Sequence, residues 1–456
     1  MTIPDLQPRT VGTLSVGSVA SPRGAALDEA ARRVIPGGAN TVTRWIGSPY
    51  AFTAAEGAYV TDADGRRYLD YHCAFGAVLL GHNHPVVNQA VIDAINGRPD
   101  LIGLGISELE IEMAELLTSV IPSAEQAVTV MSGSEAVAHT IRLARGVTGR
   151  PLLVKFQGTY HGWSDSVARN MISPPERAYR RDPLSAGILD AVLDATLIAE
   201  FNDLDSVKAL YEAHPEQIAA VILEPIPHNV GALLPTQEFI TGLRELTREQ
   251  GSLLIFDEVI TGFRHSLGGY QQVCGVLPDL TTYGKAMGNG FPVSGLAGPR
   301  SLMERFDTAG GDVLMGGTFN GNRVSAAATI ATVSYLRDHP DFYERTHRLG
   351  QRMRDGLASL LDEHGIAATV SGFGGTFNVY FVPPPVRGYR ELLGNDARAY
   401  ATFHRRMTDR GFLMLPIALK RNHVSGSHTE EDIERTLEAA GDVLKELVAE
   451  GIAPRL

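Results

Sequence analysis

The chain has 456 residues, of which 44% are hydrophobic, and it carries a formal net charge of −12 at pH 7. This acidic balance, with no block rich in lysine and arginine, argues against nucleic-acid binding and favours small-molecule ligands. Only two cysteines, about two hundred positions apart, argue against a disulfide framework and a cysteine-ligated zinc site, so we expect a reducing compartment and no metal.

The N-terminal third begins with a lead-in and a short helix. Residues 1–24 are rich in Pro, Ser, Gly and Thr, and residues 25–38 predict a helix that ends at a Pro-Gly-Gly sequence. Residues 58–71 form two alternating runs around an Asp-Gly turn, which is typical of a β-hairpin. There is no basic start before an apolar run, nor any run of about 18 apolar residues, so we expect a cytoplasmic protein without a membrane partner.

From residue 126 onward, short apolar runs alternate with helical segments. Runs such as "IAAVILEP" and "SLLIFDEV" are apolar on both faces, which is typical of strands in a parallel sheet covered by helices. After about residue 335, long amphipathic helices with a few strands indicate a smaller α+β lobe. We expect an α/β fold with residues 71–334 as the large domain, 335–456 as the small domain, and 1–70 contributing to the small one.

Two loops at predicted strand ends carry candidate binding groups. In "VMSGSEA", a helix opening at Glu135 would leave the N–H groups of Gly133 and Ser134 free for an anion, although an ordinary capped helix has the same pattern. In "FQGTYHGW", Tyr160 and His161 follow a strand and could stack on a planar ring, or could simply pack against a neighbouring loop.

Two charged residues lie in apolar surroundings. Asp257 ends the apolar run "SLLIF", where a carboxylate needs a partner; a structural pair with Arg264 is one alternative. Lys285 lies in "TTYGKAMGNGF", a stretch that reads as a Gly-rich loop, in which desolvation would lower the pKa of the amine and make it a nucleophile. A solvated lysine is the other interpretation.

One cofactor requires an anion cup, a ring stacker, a carboxylate opposite a pyridine nitrogen, and a lysine that binds an aldehyde. That cofactor is pyridoxal 5′-phosphate. The carboxylate would keep the ring nitrogen protonated, and the lysine would serve as general base.

Six motifs, in order, resemble one family. "VMSGSEA", "GTYHGW", "EPIPHNVG", "FDEVITGFR", "TTYGKAMGNGFPVSGLAG" and "MGGTFNGN" are similar to the class III (subgroup II) aminotransferases of fold-type I, and most closely to their glutamate-1-semialdehyde aminomutase branch. The resemblance runs from about residue 30 to 445. It implies a homodimer with shared active sites.

The resemblance implies roles for the residues already named. Lys285 matches the lysine that binds the cofactor covalently and Asp257 the partner of the pyridine nitrogen. Gly133 and Ser134 match the phosphate cup, and Tyr160 matches the ring stacker, with His161 beside it.

It also adds five positions. Asn229 matches a contact on the ring-hydroxyl side, with Glu224 nearby, and Val259 matches a residue packed behind the ring. Thr318 corresponds to a residue that reaches the phosphate of the neighbouring subunit. Arg44, in "PGGANTVTRW", falls on an arginine that holds the substrate carboxylate, a group that suits a planar guanidinium.

Three departures from the aminomutase branch lie on the substrate side. Lys420 stands where that branch carries a glutamate, Phe75 stands where it carries a tryptophan, and residues 170–187 replace a mobile Gly/Ser/Pro loop with a segment that holds three prolines and, in "ERAYRR", four charged residues. An intact cofactor side with an altered substrate side indicates the same cofactor and another substrate. Lys420 or Arg421 would hold a second acid group, or would be solvated.

These observations predict an aminotransferase that moves an amino group between an α- or β-amino acid and a 2-oxo acid. The first alternative is a glutamate-1-semialdehyde 2,1-aminomutase or a related isomerase or racemase. The second is a non-catalytic regulator that binds the cofactor, against which the pair of Lys285 and Asp257 and the lack of a DNA-binding segment both argue.

Overall fold

A computed structural model of the protein describes residues 22–41, 50–97 and 105–456. The helices of the described chain are α1 Pro22–Val34, α2 Cys73–Gly76, α3 Pro85–Asn96, α4 Glu108–Val120, α5 Gly133–Thr148, α6 Asp190–Asp194, α7 Leu204–Ala213, α8 Gln237–Glu249, α9 Tyr270–Cys274, α10 Arg300–Met303, α11 Arg323–Asp338, α12 Asp341–Glu363, α13 Tyr389–Leu392, α14 Ala397–Asp409 and α15 Glu430–Ala449. Within these ranges, no helix is both long and apolar enough to cross a membrane.

The strands form three sheets. They are β1 Phe52–Glu56, β2 Tyr59–Asp62, β3 Arg67–Asp70, β4 Gln126–Val130, β5 Leu152–Phe156, β6 Thr196–Ala199, β7 Ile218–Leu223, β8 Leu253–Glu258, β9 Leu280–Gly284, β10 Ser294–Gly298, β11 Thr369–Ser371, β12 Thr376–Tyr380, β13 Phe412–Leu413 and β14 Asn422–His423.

The central sheet has seven strands in the order β4-β10-β9-β8-β7-β5-β6. Strand β10 runs antiparallel to both of its neighbours, and all other adjacent pairs are parallel. All six residues of β7 are buried, as expected of a strand covered on both faces. This confirms the predicted α/β fold with a mainly parallel sheet between helices.

The predicted hairpin is present and joins a more distant segment. Strands β2 and β3 pair antiparallel, with Tyr59 opposite Leu69. Strand β13 then adds parallel to β3, with Phe412 opposite Leu69, while β11, β12 and β14 form a separate antiparallel sheet. The pairing of β3 with β13 joins residues 67–70 to a strand of the predicted small domain. The three domain boundaries stay a prediction.

The interpretation of the Lys285 segment as a Gly-rich loop is wrong. Residues 280–284 and 294–298 are strands β9 and β10, joined by a 3-10 helix over Lys285–Gly288 and a short turn. The glycines are required by packing, because a Cβ on Gly295 would lie 2.4 Å from the Val128 carbonyl oxygen and 2.6 Å from the Tyr283 ring. Glycine here indicates close strands as well as a turn.

Candidate active site

A cavity of about 270 Å³ opens where strands β4, β5, β7, β8 and β9 end. The carboxyl ends of neighbouring parallel strands meet at one edge of a sheet, which is where ligands of this architecture bind. The lining residues come from the ends of those strands and the segments that follow them, from the turn before β10 and from the residue after α2: Ala77, Met131, Ser132, Gly133, Ser134, Tyr160, His161, Gly162, Glu224, Asp257, Val259, Ile260, Lys285, Gly290, Phe291, Pro292 and Val293. Eight of the eleven predicted site residues are therefore brought together.

Helix α5 begins at this cavity, two residues earlier than its sequence indicated. Ser132 is the N-cap, and its Oγ accepts from the backbone N–H of Glu135 at 3.3 Å. Gly133 and Ser134 are consequently the first two helical residues, whose N–H groups have no acceptor within the helix. A Cβ on Gly133 would lie 2.9 Å from Val259 Cγ1, so the wall at this point has room only for glycine.

Asp257 is bonded on both carboxylate oxygens. Oδ2 lies 2.6 Å from Nδ1 of His161, whose Nε2 lies 3.0 Å from Thr159 Oγ1. Oδ1 accepts from Thr282 Oγ1 at 3.0 Å and from the Val259 N–H at 3.2 Å. The carboxylate is thus held in one orientation by three elements of the sheet edge.

The alternative that paired Asp257 with Arg264 is wrong. The Arg264 guanidinium is buried and donates to the carbonyl oxygens of Ile260 and Gly76. His161, in contrast, is buried against Asp257, which accounts for how a carboxylate is tolerated at the end of an apolar strand.

Lys285 starts the 3-10 helix with a backbone φ of 45°, a left-handed conformation that is rare outside glycine. Burial is the main cause that lowers the pKa of its amine to about 7; the charge of Arg421 acts in the same direction, while Asp257 and Glu224 oppose the shift. Lys285 lines the cavity and is only partly exposed, which argues against an ordinary solvated lysine. An amine with this pKa is largely neutral slightly above pH 7 and can act as a nucleophile.

Glu224 links two of the loops. Its Oε1 accepts from the Tyr160 N–H at 2.8 Å, and its Oε2 accepts from the His228 N–H at 3.1 Å. Asn229 Nδ2 lies 3.4 Å from both oxygens. Burial raises the pKa of this carboxyl, and burial likewise raises the pKa of Tyr160, with the charges of Asp257 and Glu224 adding to it.

Lys420 and Arg421 are buried beside this group, with exposed fractions of 3% and 1%. The alternative in which both are solvated is wrong. Burial lowers the pKa of Lys420 to about 8 and that of Arg421 to about 10, while Glu224 opposes both shifts. Among the described residues, no hydrogen-bond acceptor contacts Lys420 Nζ. Two buried cations with so few partners provide charge for an anionic ligand.

The remaining predicted residues are Asn229, described above, Arg44 and Thr318. Arg44 falls outside the described residues. Thr318 is exposed in the segment before α11 and does not line the cavity. Its predicted contact with a partner subunit stays a prediction.

Two buried side chains, Gln157 just after β5 and Lys155 in β5, hold the segment 170–187 and the residues before it. Gln157 accepts from Asn170 Nδ2 at 3.0 Å and from the Tyr179 N–H at 2.8 Å. Lys155 Nζ donates to three carbonyl oxygens, including that of Thr159 at 2.9 Å. The bonds of Gln157 and Lys155 therefore support the loop that carries Tyr160 and His161.

The sequence analysis missed several residues that set this geometry. Thr282 and Thr159 orient Asp257 and His161, but a threonine in an apolar strand gives no signal of its role. His423 contacts Arg421 through an Nε2 atom that accepts from Arg421 Nε at 3.2 Å. The sequence "KRNH" contains Lys420, Arg421 and His423, but it does not indicate that they are buried.

Comparison with known proteins assigns the family. The sequence profile described as Aminotransferase class-III matches residues 42–436. The chain belongs to the class III aminotransferases. A glutamate-1-semialdehyde 2,1-aminomutase of Alkaliphilus oremlandii is 40% identical over 425 residues, which cover 91% of this chain and 97% of that relative.

Two solved structures are similar over nearly the whole chain. An ω-transaminase from Sphaerobacter thermophilus has a TM-score of 0.87 and 35% identity, covering 94% of this chain and 98% of that one. A glutamate-1-semialdehyde aminomutase from Pseudomonas aeruginosa PAO1 in complex with PMP has a TM-score of 0.84 and 27% identity, covering 93% and 95%. This class III enzyme accordingly uses pyridoxal 5′-phosphate as cofactor.

The residues of the cavity fit that cofactor. The free N–H groups at the start of α5 suit a phosphate, the fixed Asp257 suits a pyridine nitrogen, and the Lys285 amine suits an aldehyde. Gly133 has no Cβ, so the space beside Val259 stays open for the cofactor.

Proposed function

We propose that this class III enzyme is an aminotransferase that moves an amino group between a carboxylate-bearing α- or β-amino acid and a 2-oxo acid. The observation that carries the proposal is the buried pair Lys420 and Arg421. The resemblance places a glutamate at this position in the aminomutase branch, so Lys420 has the opposite charge. Because Lys420 is buried, its charge faces other buried groups instead of bulk water. Such a site favours a substrate carboxylate at the position where the aminomutase branch has the carboxylate of its glutamate.

Each residue of the cavity then has a defined task. When bound, the cofactor would supply an electron sink for the pair released when the C–H bond breaks at the substrate carbon that carries the amino group. Gly133 and Ser134 would bind its phosphate, Tyr160 would pack on its ring, and Asp257 would keep a proton on its ring nitrogen. Lys285 would hold the cofactor and, as a neutral amine, take and return the proton at that substrate carbon.

Other contacts support these groups. Val259 would pack behind the ring, while His161 and Thr282 fix the Asp257 carboxylate. Asn229 and Glu224 would contact the ring-hydroxyl side, and Glu224 also offsets part of the positive charge of Arg421.

Two cationic groups are proposed for the substrate acid. Arg44 binds one carboxylate through its planar guanidinium, and Arg421 with Lys420 binds a carboxylate at the buried cationic pair. A site of this kind excludes amines that lack an acid group, because the buried cations would be left without a partner.

The proposed assembly is a homodimer in which Thr318 of one chain reaches the phosphate in the other. The exposure of Thr318 in a single chain supports this proposal, because a partner could cover it.

The second candidate is a glutamate-1-semialdehyde 2,1-aminomutase. The similarity of about 40% to proteins of that name favours it, and by name the curated relatives support it more than they support the transferase. An aminomutase returns the amino group to the same carbon skeleton, whereas a transferase must release one product and then react with a separate acceptor.

This difference provides the test. Glutamate-1-semialdehyde is supplied alone to the holoenzyme, and 5-aminolevulinate is measured; in parallel, a panel of α- and β-amino acids is supplied with and without 2-oxoglutarate. We expect turnover only with an amino acid and an acceptor together. Efficient formation of 5-aminolevulinate without an acceptor would overturn the transferase proposal and establish the second candidate.

A further inference from the structure

Four consecutive residues after β3 adopt a left-handed backbone. The φ angles are 45° at Cys73, 49° at Ala74, 58° at Phe75 and 86° at Gly76. Three of these residues are not glycine, and each carries the steric penalty of a Cβ in that region. Such a turn persists only when surrounding contacts enforce it, and strained backbone of this kind concentrates at functional sites.

The turn presents two carbonyl oxygens to two buried arginines. The Phe75 oxygen accepts from Arg421 Nη2 at 2.8 Å, and the Gly76 oxygen accepts from Arg264 Nη2. In a right-handed turn these carbonyls would point along a different direction, so the left-handed conformation is what aims them at the guanidinium groups.

His423 completes the hold on Arg421. Arginine only donates hydrogen bonds, so His423 Nε2, at 3.2 Å from Arg421 Nε, must be the acceptor. The proton of the neutral ring then lies on Nδ1, which is 3.2 Å from Thr376 Oγ1. Burial, followed by the charges of Arg264 and Arg421, holds the pKa of His423 well below its ordinary value, which keeps the ring neutral and able to accept.

The turn and the imidazole are in contact with each other. A Cβ on Gly76 would lie 3.0 Å from His423 Nε2 and 3.3 Å from Arg264 Nη2. The Arg421 guanidinium is therefore fixed on two sides by groups that touch, and its remaining N–H groups have no acceptor among residues 22–41, 50–97 and 105–456. A guanidinium held this way presents a fixed pair of donors to one incoming carboxylate.

We propose that His423 and the left-handed turn Cys73–Gly76 are positioning elements for Arg421, and that they determine how tightly the enzyme holds the carboxylate of its substrate. This inference rests on the proposed function, in which Arg421 binds that carboxylate. It adds that specificity depends on residues which do not touch the substrate.

The test uses the purified holoenzyme and four variants. His423→Leu removes the acceptor, His423→Gln keeps a polar acceptor near the same position, Arg421→Met removes the guanidinium, and a double variant combines His423→Leu with Arg421→Met. His404→Leu is the matched control, because His404 is also buried and its ring also makes one hydrogen bond to the chain, to the Met414 oxygen at 2.9 Å. The readouts are the KM and kcat of the best amino acid, and the Kd of succinate from the cofactor absorbance.

We expect His423→Leu to raise the KM and the succinate Kd about tenfold while kcat changes less than about threefold. His423→Gln should recover most of the loss, the control should keep the wild-type KM, and His423→Leu should have no further effect once Arg421 is methionine. If Arg421→Met leaves the KM and Kd unchanged, the carboxylate role in the proposed function is wrong. If Arg421→Met raises both but His423→Leu does not, or the control raises them equally, the positioning inference alone is overturned.

Discussion

At the scale of single residues, the chemistry of the site depends on how Lys285 is desolvated. Its sequence neighbours suggested an apolar setting, and the structure adds a second cause, the nearby charge of Arg421. The same charge that we assign to substrate binding therefore tunes the amine. A mutation of Arg421, which we assign to substrate binding, should therefore also change the pKa of Lys285.

This coupling predicts a pH dependence. Because the pKa of Lys285 is lowered to about 7, the neutral amine forms above that pH, and the rate at which apoenzyme binds pyridoxal phosphate covalently should rise with a midpoint near 7. Arg421→Met should move the midpoint to higher pH, since the arginine charge favours the neutral amine. Stopped-flow absorbance across pH 6–9 measures both. A midpoint that does not move, with exposed Arg398→Met as control, contradicts the coupling.

A second prediction concerns Asp257. Asp257→Asn should retain the cofactor but lose at least about a hundredfold in kcat, because the ring nitrogen no longer keeps its proton. Thr282→Val, which removes one hydrogen bond to the same carboxylate and leaves its charge, should cost much less. Single-turnover absorbance gives the proton-transfer rate, and near-wild-type turnover in Asp257→Asn would remove this role.

At the scale of elements, the sequence located the strand ends well and the local conformations poorly. Periodicity and Gly-rich motifs placed the loops of Gly133, Tyr160 and Asp257 at one sheet edge, because strand polarity determines where parallel strands end. The start of α5 and the strands on both sides of Lys285 were misjudged, since glycine is used both for turns and for close strand packing. The left-handed turn at Cys73–Gly76 has no sequence signature, because it depends on distant arginines.

That turn permits a matched pair of substitutions. Gly76 and Gly65 have nearly the same φ, 86° and 84°, so replacement by alanine should cost each about 1 kcal/mol of stability. Only Gly76→Ala introduces a contact with His423 and Arg264, since nothing lies within 4 Å of a Cβ on Gly65. We expect a loss in melting temperature in both variants, larger in Gly76→Ala because of this contact, and a raised KM for the amino acid in Gly76→Ala alone. Equal KM values in the two variants would contradict the expectation.

At the scale of the whole molecule, alternation of apolar runs and helices was sufficient to predict the fold class. It could not predict that β13 adds to β3, or that Lys420 and Arg421 are buried, because both depend on contacts between segments more than 300 residues apart. The residues that flank Lys420 and Arg421 in sequence are typical of a solvated segment. Their burial follows from where β12, β14 and the turn at Phe75 come together.

Buried histidines predict how the whole protein responds to acid. Burial lowers the pKa of His72, His404 and His428 to about 4, below the 6.5 of an unfolded chain. Between those values the unfolded state binds more protons, so stability falls as pH decreases, by about 1.4 kcal/mol per pH unit for each ring. Melting temperature should decrease from pH 7 to pH 5, and less steeply in His404→Gln. If the melting temperatures of the wild type and His404→Gln decrease equally with pH, His404 does not contribute to the loss of stability in acid.

Mixed dimers test the proposed assembly. A Lys285→Ala chain and a Thr318→Ala chain should each be deficient alone. If Thr318 acts on the partner, their heterodimer has one complete site, formed by Lys285 of one chain and Thr318 of the other, and activity should return on mixing. If Thr318 acts within its own chain, no site is complete and mixing restores nothing.

The pairing of β3 with β13 also has a consequence for synthesis on the ribosome. The N-terminal hairpin emerges early, but its parallel partner, Phe412–Leu413, is made more than 300 residues later. At elongation rates of about 5–20 residues per second, the outer edge of β3 stays unpaired for roughly 20–70 s before that partner is made. During this interval a nascent chain exposes an unpaired strand edge, which is the feature through which strands of different chains associate.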